Sequence, residues 1–192
     1  VGSHKGSLLT GVLGGLVSST ATTLSFSRQA RANPGGHHIL AAVSILAATA
    51  TLYPRILLEA WAVNPTLGKQ MLVPVVFITL VAFGIAWSIH RGAGKASSVE
   101  VPLTNPLNFT VALQFALIYM AVQWLMSLAS DEYHAQGLYV ASIVFGATDM
   151  DAITLSIARK DLVPESLQGV PAVLLATLSN TVMKYLIVVF FG

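Results

Sequence analysis

Phe145-Gly-Ala-Thr-Asp-Met-Asp-Ala-Ile-Thr-Leu-Ser-Ile-Ala-Arg159 sets two carboxylates, Asp149 and Asp151, in the middle of an apolar segment. An aspartate at the centre of a membrane-spanning helix costs about 2.5 to 3.5 kcal/mol even on the lenient insertion scale. Paired acids in such surroundings suit binding a hard cation through oxygen, or carrying a proton. Other apolar segments carry polar groups near their centres: Ser18, Ser19, Thr20, Thr22 and Thr23 in one, Thr49 and Thr51 in the next, and Asn180 with Lys184 in the last. The candidate ion-binding set is therefore Asp149, Asp151, Ser18, Ser19, Thr20, Thr23, Thr154, Asn180 and Lys184, with any metal on Asp149 and Asp151.

The elements that must hold these groups follow from composition. Of 192 residues, 55% are hydrophobic and only 9% charged, and the mean hydropathy is +0.74. An ordinary soluble domain is about 25% charged. The pattern predicts an all-α, polytopic membrane bundle forming one domain over 1–192. Apolar stretches of about 20 residues, enough to cross about 30 Å of hydrocarbon, occur at 8–27, 38–61, 71–89, 107–129, 138–158 and 170–191. The first is rich in glycine and hydroxyls; Gly11, Gly15, Ser19 and Thr23 form an i, i+4 ladder that lets helices touch. The second contains Tyr53-Pro54-Arg55, where proline frees a carbonyl, and Arg55 stands four residues before Glu59, a spacing that suits an ion pair. The stretch 90–105 is the one long loop, the fourth segment carries Gln114 and Gln123, and Asp131-Glu132-Tyr133-His134 forms an acidic turn.

Ten Lys and Arg, a net charge of +2 and a pI near 9.1 read as topology signals near helix ends and not as a nucleic-acid surface. Six crossings would place Arg28, Arg31, Arg91, Lys95, Arg159 and Lys160 on the cytoplasmic face, with both termini outside. No secretory leader precedes an outside N-terminus, so an earlier span or domain is expected before residue 1. His37 and His38 point about 100° apart on a helix, which suits interface solvation over a shared metal. The chain has no cysteine, no nucleophile elbow, no phosphate-cradling glycine loop and no zincin motif, so it is read as a non-enzyme.

The chain also repeats itself. Residues 19–28 align without gaps on 150–159, sharing Ala-x-Thr-Leu-Ser-x-x-Arg at an offset of 131, and Gly15 falls on Gly146. Thr49 and Thr51 fall near Ser179 and Thr181, so the halves 8–61 and 138–191 are expected to be parallel copies around middle spans within 71–129. Asp149 then matches Ser18 and Asp151 matches Thr20. On an unbroken helix the two carboxylates would point about 200° apart. Either the helix is interrupted between Gly146 and Asp151, or one carboxylate alone faces a pathway.

The run Gly14-Gly15-Leu-Val-Ser-Ser-Thr-Ala-Thr-Thr-Leu-Ser-Phe-Ser-Arg28, with Asp149-x-Asp151-Ala-Ile-Thr154-Leu-Ser156 and Asn180-Thr-x-x-Lys184, resembles the C-terminal membrane domain of MgtC/SapB-type proteins. That resemblance implies a bacterial inner-membrane protein, linked to transport or magnesium, following an N-terminal MgtC-like domain. The second span departs from the family pattern, carrying Thr49 and Tyr53-Pro54 where an asparagine and aliphatic residues are expected.

The favoured expectation is a transporter or channel-like protein for a small cation, Mg2+ or Na+, with H+ as a coupling ion, in a lipid bilayer. A non-transporting membrane interaction or regulatory module, packed through its small-residue helices into a homo-oligomer, is the alternative. A small organic anion held by Lys184, Arg55 and helix N-termini is a third. For the two aspartates the structural reading is that one caps a broken helix and the other pairs with Lys184.

Overall fold

The computed structural model describes residues 3–32, 38–92, 136–159 and 169–192, together with Leu117, Met120, Ala121 and Trp124. The expected fourth span, save for those four positions, lies outside the described residues. So do Gln114, Gln123, the 131–134 turn, most of the 90–105 loop, His37, Lys160 and Asp161. Every described residue is helical except Asn64, Asp149 and Gly192. The helices are α1 (Ser3–Ala32), α2 (His38–Val63), α3 (Pro65–Gly92), α4 (Gln136–Thr148), α5 (Met150–Arg159) and α6 (Gly169–Phe191). Among the described residues, α1, α2, α3 and α6 are long and apolar enough to cross a membrane.

Their apolarity sorts by environment. The hydropathic window of α3 is 11% buried and that of α2 is 67% buried, so α3 shows Leu72, Val73, Val76, Phe77, Leu80 and Val81 outward while α2 is packed on most sides. A helix apolar all round on an open face suits lipid contact.

The chain divides into two compact units, one of 1–55, 74–104 and 184–192, the other of 56–73 and 105–183. In the first unit α1 is not straight. Ser18 adopts extended backbone angles (φ −162°, ψ 109°) in the middle of the helix. Gly14 and Thr22 would stand about 12 Å apart along a straight helix, yet a Cβ on Gly14 would lie 2.6 Å from the Thr22 hydroxyl. The chain therefore folds back at Ser18 into two arms.

Both arms lie on the same stretch of α2. From the first arm, a Cβ on Gly11 would meet Ser44 and Ala47, and the Ser44 hydroxyl donates to the Ser7 carbonyl at 2.9 Å. From the second, Phe26 and Ala30 cluster with Ala41, with Ile45 packed against them. Nearest the bend, Gly15 abuts Ala48 midway along α2. The two ends of α1 thus sit toward the start of α2. Gly11, Gly14 and Gly15 let the arms and α2 approach this closely.

The end of α6 belongs to the same unit. Arg31 donates to the Phe190 carbonyl at 3.0 Å, and the Arg28 guanidinium lies 5.4 Å over the Phe191 ring. Six straight crossings would instead put Arg28 and Arg31 on the face opposite the C-terminus.

In the second unit the described parts of α4 and α5 are 13 and ten residues long, on either side of Asp149. The end of α5 lies at the α2–α3 junction, where Asn64 donates to the Ala158 carbonyl at 3.5 Å. Asn64 also caps α3, its Oδ1 accepting from Thr66 N and Leu67 N. The start of α6 is beside both, since a Cβ on Gly169 would lie 2.9 Å from Leu67 and 3.6 Å from Ile157.

Candidate functional site

Two helix breaks, one in each unit, hold most of the polar residues singled out above. In the second unit the break is at Asp149, between α4 and α5. Its Oδ1 accepts from Asp151 N at 3.0 Å and Ala152 N at 3.1 Å, so the carboxylate caps the N-terminus of α5. Those two amides would otherwise bond the carbonyls of Ala147 and Thr148. The break therefore releases both oxygens at the negative end of the α4 dipole. The preceding carbonyl, of Gly146, is taken by Asn180 Nδ2 at 2.9 Å, and the Thr148 hydroxyl turns back to the Phe145 carbonyl at 2.8 Å. Asn180 can reach the break because Gly146 lies on Ala176; a Cβ there would be 2.5 Å from the Ala176 Cα. Ser179 adds a bond to the Ile143 carbonyl at 2.6 Å.

In the first unit the break is at Ser18, whose Oγ accepts from Ala21 N at 3.2 Å. The hydroxyls of Thr22 and Thr23 donate back to the carbonyls of Ser18 and Ser19, each at 2.8 Å. The carbonyls released by this break, Gly15 and Leu16, both accept from Arg55 Nη1 at 3.1 Å. A cation at the C-terminal end of a half-helix is favourably placed in its dipole. The ion-binding set read from the sequence left Arg55 out, naming it only beside Glu59 and for an anion; its signal was a basic side chain beside a proline inside an apolar segment.

The breaks correspond closely. Ser18 and Asp149, their acceptor contacts to Ala21 and Ala152, and Gly15 and Gly146 all differ by 131 positions. The partner helices do not keep that register. Gly15 meets Ala48 and Gly146 meets Ala176, an offset of 128. Thr49 and Thr51 therefore match Thr177 and Ser179, two residues away from the match read in the sequence. The contact point of a helix crossing decides this, and a permissive run of Ala, Leu and Thr does not reveal it.

Of the candidate residues, Asp149, Asp151, Thr154 and Asn180 fall in the second unit, and Ser18, Ser19, Thr20, Thr23 and Lys184 in the first. Asp149 and Asp151 are half-buried, and Thr154, Asn180, Ser19, Thr23 and Lys184 are buried. His38 is exposed. Among the described residues no three His, Asp or Glu side chains gather to hold a metal ion. A cation here would need hydroxyl, amide and carbonyl oxygens beside the aspartates. Two such oxygens are buried without a hydrogen-bond partner among the described residues, Thr154 Oγ1 and Asn180 Oδ1. Thr23, which matches Thr154, spends its hydroxyl on its own helix.

An uncharacterized protein of Aquifex aeolicus (strain VF5) is 28% identical over 189 residues, covering 96% of this chain and 82% of the relative. No solved structure matches the chain. Over residues 1–192, with both breaks and their partner helices inside the match, the chain belongs to the family described as a domain of unknown function, DUF4010.

Proposed function

We propose that the protein moves a small cation across a membrane through a site at the α4–α5 break, with Asp149 and Asp151 supplying its negative charge. The observation that carries this reading is a pair of capped helix breaks inside apolar segments. Irregular backbone at membrane depth survives only where protein or a water-lined cavity satisfies it, and transporters use such discontinuous helices to present carbonyls and helix ends to ions.

The topology proposed with it has α1 as a re-entrant hairpin beside α2, and α4–α5 as a second one beside α6. Supporting this are the contacts of Arg28 and Arg31 with the end of α6 and of Ala158 with Asn64. The motifs alone support kinship with the C-terminal membrane domain of MgtC/SapB-type proteins, and with it a bacterial inner membrane.

Because the chain has no cysteine, single cysteines report sidedness directly. Ala32→Cys and Gly192→Cys are expected to react with an impermeant maleimide from one face, and Thr66→Cys, Gln136→Cys and Arg159→Cys from the other. Opposite labelling of Gln136 and Arg159 would sink the second hairpin. For function, Asp151→Asn is expected to abolish cation flux into proteoliposomes while elution profile and helicity match the parent. Unchanged flux would remove Asp151 from the pathway.

A further inference from the structure

We infer that the two arginines near the end of α1 hold the phosphate of an anionic phospholipid, whose acyl chains run along the last turns of α6. The inference does not depend on the transport reading and requires only that α6 spans a bilayer. Arg28 and Arg31 are both exposed and belong to the same unit as residues 184–192. Side chains three positions apart are neighbours on a helix surface, with Cβ atoms about 5–6 Å apart. Two guanidiniums at that spacing can converge on one phosphate.

The end of α6 positions each of them. The Arg28 guanidinium lies 5.4 Å from the centroid of the Phe191 ring, and Arg31 Nη1 donates to the Phe190 carbonyl at 3.0 Å. Packing here is close, since a Cβ on Gly192 would lie 3.6 Å from the Ser27 Cβ. Among the described residues these are the only partners of either arginine, and neither meets a carboxylate. A guanidinium carries several N–H donors in a rigid fork, so most of them stay open on side chains that are already held in place. Such ordering lowers the entropy lost on binding. The fork also matches phosphate oxygens two at a time.

The surroundings select a lipid over a free anion. Tyr185, Leu186, Val189 and Phe190 are exposed on α6, Tyr185 by 66% and Phe190 by 68%. Their spacing puts them on one face of the helix. That face runs up to Phe190, the residue whose carbonyl Arg31 holds. A pair of cations at the end of an apolar stripe has the outline of a phospholipid, with the phosphate on the guanidiniums and the chains along the stripe. Inorganic phosphate would leave the stripe unused. A zwitterionic headgroup brings a cation of its own, which the arginines repel, whereas anionic lipids attract basic residues near the ends of spanning helices.

The test is the unfolding midpoint of purified protein in a non-ionic detergent, titrated with phosphatidylglycerol, phosphatidylcholine or inorganic phosphate at constant ionic strength. Phosphatidylglycerol is expected to raise the midpoint saturably, the folded-to-unfolded ratio rising about tenfold at ten times the half-saturating concentration. Arg28→Gln combined with Arg31→Gln is expected to need about tenfold more of this lipid or beyond, since each basic residue near an anionic surface contributes roughly fivefold. Arg91 also lies over a ring, 5.2 Å from the Trp87 centroid, but has no second arginine within a turn, and Arg91→Gln is expected to keep the parent response. If the double glutamine variant does not fold, Arg28→Lys with Arg31→Lys carries the test: it keeps both charges, loses the fork and is expected to respond more weakly than the parent. The proposal is overturned by no response in the parent, by an equal response to phosphatidylcholine or inorganic phosphate, by an equal loss in Arg91→Gln, or by a parent-like response in the folded double variant.

Discussion

Alanine at Gly146 is expected to destabilise the protein, although alanine is the better helix former by about 1 kcal/mol. Its Cβ would stand 2.5 Å from the Ala176 Cα and 2.6 Å from the Ala176 carbonyl oxygen. These are backbone atoms of a fully buried residue and cannot swing aside. Relief requires α4 and α6 to separate, which strains the Asn180–Gly146 and Ser179–Ile143 bonds that complete the break. Overpacking of this kind costs about 1–3 kcal/mol, and Gly146→Val should exceed that. Gly15→Ala should behave alike, meeting the Ala48 backbone at 2.6 Å, whereas Gly84→Ala meets nothing within 4 Å and should be neutral or stabilising. Unfolding midpoints of the three variants decide it. Equal behaviour at positions 15, 84 and 146 would mean that the glycine contacts do not set the helix spacing.

The second large effect is expected at Asp149, where stability and charge can be separated. Asp149→Ala leaves the amides of Asp151 and Ala152 without their acceptor, at about 0.5–2 kcal/mol for a lost cap, and more where water cannot replace it. Asp149→Ser installs the residue found at the matched break, where Ser18 accepts from Ala21. It should recover most of the stability lost in the alanine variant. If the carboxylate serves only as a cap, Asp149→Ser also recovers flux. The transport reading expects the folded serine variant to remain at least tenfold slower in cation flux than the parent. Paired melting and flux measurements on the two variants separate these outcomes.

Much of the local chemistry was legible in the sequence because it depends on short-range bonding. An aspartate followed two and three residues later by helix formers is a cap, and a break between Gly146 and Asp151 was one of the two options read for that segment. The match of Ser18 to Asp149 was visible as a residue-type pattern, since both side chains can accept from the first turn of a helix. The ladder of Gly11 and Gly15 announced close packing without naming the partner helix.

What the sequence alone determined is a helical chain with segments apolar enough for a membrane, and the offset of 131 that relates Ser18 to Asp149. Each depends on residue type within short runs of the chain. The tertiary structure decided the rest. One extended residue, Ser18, turns an apolar stretch long enough to cross into two arms on the same part of α2, and no hydropathy average contains that torsion. Arg55 reaches carbonyls 40 and 39 positions earlier, and Arg31 a carbonyl 159 positions later. The same long-range packing makes Asp149 a helix cap inside an apolar segment and brings Asn180 to the carbonyl that the break exposes, which is why the two carboxylates gained their meaning only from the fold.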